Sequence, residues 1–272
     1  MCGRYIIVSK LKKIEKRFNA GTNGESANHK ASFNVAPGDL APVITSESPS
    51  LIQFYRFGLQ PHWAKKPMFL INARAEGDHN LENDYRYSGT YGIKDKPSFR
   101  KAFRSQRCII PADAFIEGTT AEKLNKPFVV YPVDKDDRPF AFAGLYDQWT
   151  DKETGEIISS FSIITTVSTP LLRMIPHHRS PVCLDGPEEE SIWLNNSSAI
   201  SDIEYLLRYR DDRRFNAYPI APEIKNPRLK HSELIKPTGE RLLKEYTYEI
   251  HRDLELFGMG MTSARKRKQD EF

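Results

Sequence analysis

Hydrophobic and polar positions fall into short blocks along most of the chain, the pattern of strands rather than long helices. Residues 43–45, 52–57, 128–131, 140–146 and 161–166 are β-branched or aromatic runs bounded by Gly, Pro or Asp, and they predict strands. Between residues 9 and 18, Leu11, Ile14 and Phe18 recur at helical spacing among lysines, which predicts an amphipathic helix early in the chain. Further short helices are expected at 99–104, 188–193 and 201–209. Residues 19–30 form a polar, Gly-containing loop in this reading. Residues 77–97, rich in Asp, Asn, Gly and Tyr, form a long surface loop. Strands mixed irregularly with short helices indicate an α+β fold, not a regular βαβ array.

Composition narrows this picture. A chain of 272 residues with 39% hydrophobic and 11% aromatic content can bury a core, which excludes wholesale disorder. The longest apolar runs are strand-length, far below the ~18 residues a membrane helix needs. The start carries no charged-then-apolar leader, so an intracellular protein without membrane partners is expected. Three cysteines without a C-x-x-C pair fit a reducing compartment; Cys108 and Cys183 read as buried structural thiols. Cys183 with His177 and His178 lacks a fourth ligand and the usual spacing, so neither a metal nor an organic cofactor is expected. Of the net charge of +4, half resides in residues 259–272, leaving a nearly balanced body. Any nucleic-acid site must therefore be local. A single domain over 1–258 is expected, followed by a basic, disordered tail at 259–272. Its run Arg265, Lys266, Arg267 and Lys268 reads equally as a nuclear-import patch, if the cell has a nucleus, or as a solvated terminus.

Cys2 is the first candidate for chemistry. If Met1 is removed, Cys2 carries a free α-amine beside its thiol, and this 1,2-aminothiol can close a five-membered thiazolidine on an aldehyde. An internal cysteine cannot, because its nitrogen is locked in an amide. About 14% of an α-amine of pKa near 7.8 is unprotonated at neutral pH, roughly 300 times the fraction for a lysine. That favours Schiff-base chemistry at the terminus. Taken alone, a cysteine at position 2 is more often an accident.

The rest of the chain changes that weighting. In order it carries Cys2-Gly3-Arg4, Asn34-Val35-Ala36-Pro37, Phe57-Gly58-Leu59 with Pro61 and Trp63, and Asn72-Ala73-Arg74-Ala75-Glu76. It continues with Ser98-Phe99-Arg100, Cys108-Ile109-Ile110-Pro111-Ala112-Asp113 with Glu117, Ala143-Gly144-Leu145, and His177-x-Arg179-x-Pro181. Each motif is weak, but their order, anchored by Cys2, resembles the SOS-response-associated peptidase (SRAP) family, whose members look like sensors of abasic sites in single-stranded DNA.

The resemblance implies a single domain with a β-barrel-like core of mostly antiparallel strands, flanking helices, and a positive groove for single-stranded DNA. It implies that Cys2 forms a thiazolidine with the ring-opened abasic sugar, with Asn72, Glu117 and His177 as the other catalytic positions. Those residue types suit the chemistry. His177 can shuttle the proton that opens the sugar, Glu117 can exchange protons during ring closure and its reversal, and Asn72 can orient the amine or an oxygen without adding charge. Read without the family, Glu117 is a salt-bridged or surface residue after a strand, and Asn72 a turn or cap residue.

Arg4, Arg74 and Arg179 each adjoin one of these positions and read as phosphate clamps; an internal pair of Arg74 with Glu76 is the alternative. Trp63 and Pro37 read as a platform for flanking bases, or as core. On a strand, His177 and His178 would point to opposite faces, so that one alone reaches the site. The chain departs from the family pattern at Gly118, where an aromatic is usual, at His178 and at Phe57.

The implied function is covalent trapping of abasic sites, with strand scission by a lyase step and self-reversal, and with replication-fork or repair proteins as partners. The rivals are a peptidase that uses Cys2 to remove Met1 and a non-enzymatic single-strand-binding module.

Overall fold

The structure is a computed structural model and describes residues 2–24, 29–208 and 214–245. The expected basic tail at 259–272 lies outside the described residues. Among the described residues no helix is long and apolar enough to cross a membrane.

The first half of the chain runs through β1 (Arg4–Ile7), α1 (Leu11–Phe18), β2 (Ser32–Val35), β3 (Leu40–Thr45), β4 (Ile52–Phe57) and β5 (Asn72–Arg74). It continues through α2 (Arg100–Ser105), β6 (Arg107–Ala112), β7 (Ala114–Thr119) and β8 (Lys123–Pro132). Then come β9 (Phe140–Thr150), β10 (Ile157–Val167), α3 (Pro170–Met174), β11 (Arg179–Pro181) and β12 (Cys183–Leu184). The described elements end with α4 (Gly186–Leu194), α5 (Ile200–Leu206) and β13 (Phe215–Pro219).

Strands β10, β4, β3, β6 and β9 pair in that order, and β9 pairs back to β10, closing a five-stranded barrel. Closure removes exposed edges and explains why β9 is buried on both faces over Phe140–Asp147: one face fills the barrel and the other meets its surroundings. Gly144 is required there, because a Cβ would sit 2.1 Å from Ile110 Cδ1 and 2.9 Å from the Ser162 carbonyl. Among the described strands, only the pairings of β10 with β4 and with β5 are parallel.

A second, antiparallel sheet, β13-β8-β7-β1-β2, packs beside the barrel. Alternation along β1 and β7 sorts its side chains. Tyr5, Ile7 and Phe115 join the main core with the barrel's Phe57, Phe142 and Phe161. Ile6, Val8, Ala114 and Ile116 face the other way and are covered by Ile220, Ile224, Leu234 and Ile235. Tyr5 bridges the layers edge-on, 5.8 Å from Phe57 and 6.0 Å from Phe142. Such contacts add about 0.5–1.5 kcal/mol beyond burial. The fold is thus α+β in one domain, a barrel of mostly antiparallel strands with flanking helices, as the sequence led one to expect.

Candidate active site

The site is assembled where β1 begins. In the β1–β7 register Arg4 lies opposite Ile116 and Tyr5 opposite Phe115, which, carried two residues outward, sets Cys2 across from Gly118. Cys2 is fully buried. Its carbonyl accepts a hydrogen bond from Asn72 Nδ2 at 3.0 Å. Asn72 is brought there by β5, which runs parallel to β10 with Asn72 opposite Ile163. The Asn72 Oδ1 atom is buried and has no hydrogen-bond partner among the described residues.

Glu117 follows Phe115 by two residues on β7 and therefore shares its inward face; it is 2% exposed. Burial pushes its carboxyl up to about 7. His177 Nε2 lies 3.4 Å from Glu117 Oε2, and His177 Nδ1 lies 2.7 Å from the Gly118 carbonyl. A carbonyl can only accept, so Nδ1 carries the ring proton and Nε2 turns its lone pair toward the carboxyl. Burial holds the imidazole down to about 3. Near neutral pH the imidazole is therefore neutral, and the titrating proton of this pair belongs to Glu117. The Cys2 thiol is pushed well above its ordinary range, first by burial and then by the neighbouring Glu117 charge, so it rests protonated.

Cys2, Asn72, Glu117 and His177 thus converge from four separate segments. Gly118, the departure noted in the sequence, has a structural cause. The β7–β8 register slips between Gly118 and Thr119, and a Cβ at 118 would sit 1.8 Å from the Lys123 carbonyl oxygen. The strands could not approach this closely around any side chain. The carbonyl that orients His177 is supplied by this same bulge.

The two histidines correct one expectation. They lie in the turn between α3 and β11, because strand geometry begins only at Arg179. Their rings stack, with centroids 5.2 Å apart and planes at 26°, instead of pointing to opposite faces. His178 Nδ1 is 2.8 Å from Thr120 Oγ1.

The arginines are placed unequally. Arg4 is half-buried and donates to the carbonyls of Gly3 at 3.0 Å and Lys225 at 3.4 Å. The Arg74 side chain is 28% exposed, with Nε 3.8 Å from Glu76 Oε2. Arg179 is 3% exposed and donates through Nη2 to Glu76 Oε2 at 2.8 Å and to the Thr165 carbonyl at 2.7 Å. Glu76, read from the sequence as the alternative partner of Arg74, is that partner and also binds Arg179, joining both guanidinium groups. Trp63 is 47% exposed and donates from Nε1 to the Pro97 carbonyl at 3.3 Å; Pro37 is exposed in the turn after β2. Cys108 is buried and Cys183 half-buried. Among the described residues no group of three or more His, Cys, Asp or Glu side chains converges as metal ligands do.

Similarity to known proteins extends over most of the chain. It is 34% identical to the abasic site processing protein YoqW of Bacillus subtilis (strain 168) over 241 residues, spanning 87% of this chain and 99% of that one. It is 27% identical to the abasic site processing protein HMCES of Pongo abelii over 251 residues, spanning 79% of this chain and 67% of that one. A crystal structure of a protein from Bacteroides thetaiotaomicron superposes with a TM-score of 0.72 at 29% identity, covering 87% of this chain and 100% of that one. Residues 1–227 match the family described as SOS response associated peptidase (SRAP). With a barrel of this topology and a match that includes every segment contributing to the Cys2 cluster, the chain belongs to the SRAP family.

Proposed function

We propose that this protein processes abasic sites in single-stranded DNA by trapping them covalently on a mature N-terminal Cys2. The observation that carries the reading is the meeting of a buried Cys2 with Asn72 and with a Glu117–His177 pair whose titrating proton sits near neutral pH. The names of the relatives support the substrate class.

The residues have these roles in the reaction. The abasic sugar is mostly a closed hemiacetal; the Glu117–His177 pair takes the hydroxyl proton and returns one to the ring oxygen, exposing the aldehyde. The Cys2 α-amine, freed by loss of Met1 and accepted by Asn72 Oδ1, adds to the aldehyde carbon. Glu117, protonated for part of the time at neutral pH, donates a proton as the carbinolamine loses water and the Schiff base forms. The carboxylate left behind takes the thiol proton. Sulfur then bonds to the same carbon, and the C=N electron pair of the protonated Schiff base moves to nitrogen, which keeps the proton it already carries. One water leaves in total, with no redox change and no cofactor. Reversal follows the same steps backwards.

At the Schiff-base stage the strand can also break by β-elimination, and thiazolidine closure competes with that loss. Arg4 and Arg74 are the phosphate contacts; Arg179, read from the sequence as a third clamp, is buried against Glu76 and the Thr165 carbonyl and holds that carboxylate beside Arg74 instead, and Trp63 and Pro37 receive flanking bases. The test is a denaturing gel of the mature protein with an oligonucleotide bearing one abasic site. A slow-migrating covalent band is expected, absent with Cys2→Ala; cleaved strand without any such band would overturn the trapping reading.

A further inference from the structure

The segment at 77–97, expected to lie wholly at the surface but buried at Tyr91, Gly92 and Ile93, builds with helix α3 a feature that the Cys2 centre does not use. The Tyr85 ring is 43% exposed, yet it is braced: the Arg173 guanidinium carbon lies 4.3 Å from the ring centroid and that of Arg86 lies 5.7 Å away. A turn fixes how the ring is presented. Asn80 Oδ1 accepts from the Asp84 N–H at 2.9 Å, Asn80 Nδ2 donates to the Asp84 carbonyl at 3.0 Å, and Asn83 N–H donates to the Asn80 carbonyl at 3.1 Å. Asp84 Oδ1 then accepts from both the Arg86 N–H and Nε, at 3.0 and 3.3 Å.

This stack is tied to the proposed centre through one serine. The Ser168 carbonyl accepts from Arg173 Nη1 at 2.8 Å, while the Ser168 hydroxyl donates to the His177 carbonyl at 2.5 Å. His177 N–H in turn donates to the Leu172 carbonyl, one residue before Arg173. Arg173, and with it the Tyr85 ring, is therefore joined through Ser168 to the backbone of His177.

We propose that Tyr85, braced by Arg173, is a stacking subsite for one nucleobase flanking the abasic sugar, with Arg86 facing that nucleotide's phosphate. The inference rests on the single-stranded DNA reading and adds a contact to it. Every base has a π-face, so an aromatic platform grips a strand whatever its sequence. Arg86, steadied through Nε by Asp84, turns its outer N–H groups to the phosphate that each base brings, and Arg173 against the ring strengthens it as a cation–π partner. The preformed turn keeps the ordering cost of binding low.

The test measures non-covalent affinity for a short fluorescent oligonucleotide carrying a central tetrahydrofuran, an abasic analogue without an aldehyde. Tyr85→Ala is expected to weaken binding by about 5- to 150-fold, the range of one base stack, and Tyr85→Trp to restore it. In a parallel scan on the wild-type protein, flanking nucleosides are replaced one at a time by a second tetrahydrofuran. One position is expected to cost the wild type a similar factor and the Tyr85→Ala protein nothing further. A flat scan, or equal affinity of the wild type and Tyr85→Ala, would overturn the subsite. Positions read by Trp63 and Pro37 stay costly in a folded Tyr85→Ala protein, whereas misfolding would flatten every position, so the two scans together separate the subsite from a failure to fold. A flat scan from a protein that still forms the covalent band sinks the subsite alone; no binding and no band sinks the DNA reading and the subsite with it.

Discussion

Replacing Glu117 with Gln should alter how stability depends on pH, by an amount that follows from the environment of the carboxyl. Burial raises its pKa from 4.5 to about 7, so between those values the folded chain holds a proton that the unfolded chain releases. For an acid shifted upward, the linked stability is fully present below about pH 4.5 and is lost as pH climbs through 7. At about 1.4 kcal/mol per unit the loss is about 3 kcal/mol. Gln is neutral throughout and close in shape, so the stability of the variant relative to wild type should rise by about 3 kcal/mol between pH of about 5 and about 8. The constant cost of the substitution cancels in that difference. His177, held down to about 3, acts in the other direction: its stability contribution is lost as pH falls below 6.5, in wild type and variant alike. Urea unfolding followed by tryptophan fluorescence across this pH range supplies the two curves. Parallel curves would mean that Glu117 is ionised throughout, and would refute its role as the proton carrier of the site.

Three further outcomes are expected. Arg107, 1% exposed, donates to the carbonyls of Trp193 at 2.6 Å, Phe103 and Arg104 at 2.8 Å and Asn195 at 2.9 Å, tying the ends of α2 and α4 together. Arg107→Ala should therefore cost about 3–5 kcal/mol in urea unfolding, and Arg107→Lys should recover little of it, because an ammonium lacks the planar fork. Gly118→Ala forces the β7–β8 bulge apart; a loss of about 1–3 kcal/mol is expected. The imidazole nitrogen shifts of His177 in NMR should lose the signature of a proton fixed on Nδ1. Affinity for single-stranded DNA should depend modestly on salt, with a log–log slope of about −2 to −3 for some three to four phosphates; a much steeper slope would mean a larger footprint than Arg4, Arg74 and their neighbours provide.

The barrel was largely legible because its strands at 52–57, 140–146 and 161–166 are dense, uninterrupted apolar runs, which closure on both faces demands. Strands β1 and β7 were not foreseen as elements. Arg4–Ile7 is only four residues long, and Glu117, expected after a strand, lies inside one because the outer sheet buries a carboxyl on its inward face. The four site positions were legible only through resemblance to a family. Their convergence depends on pairings between distant segments: Asn72 meets Cys2 across 70 residues, and Arg179 meets Glu76 across 103. The Gly118 carbonyl was invisible for another reason, since it acts through backbone geometry at a register slip that no side-chain pattern announces. The stacked histidines show the limit of alternation, which holds on strands and fails in the turn that carries them.

The most direct test of the account is the intact mass of the adduct formed with an abasic oligonucleotide, followed by mapping of the attached peptide. The account predicts a chain beginning at Cys2, a mass equal to protein plus DNA less one water, and attachment at Cys2 itself. An adduct heavier by one methionine residue, on chains that retain Met1, or attachment at a lysine, would contradict it.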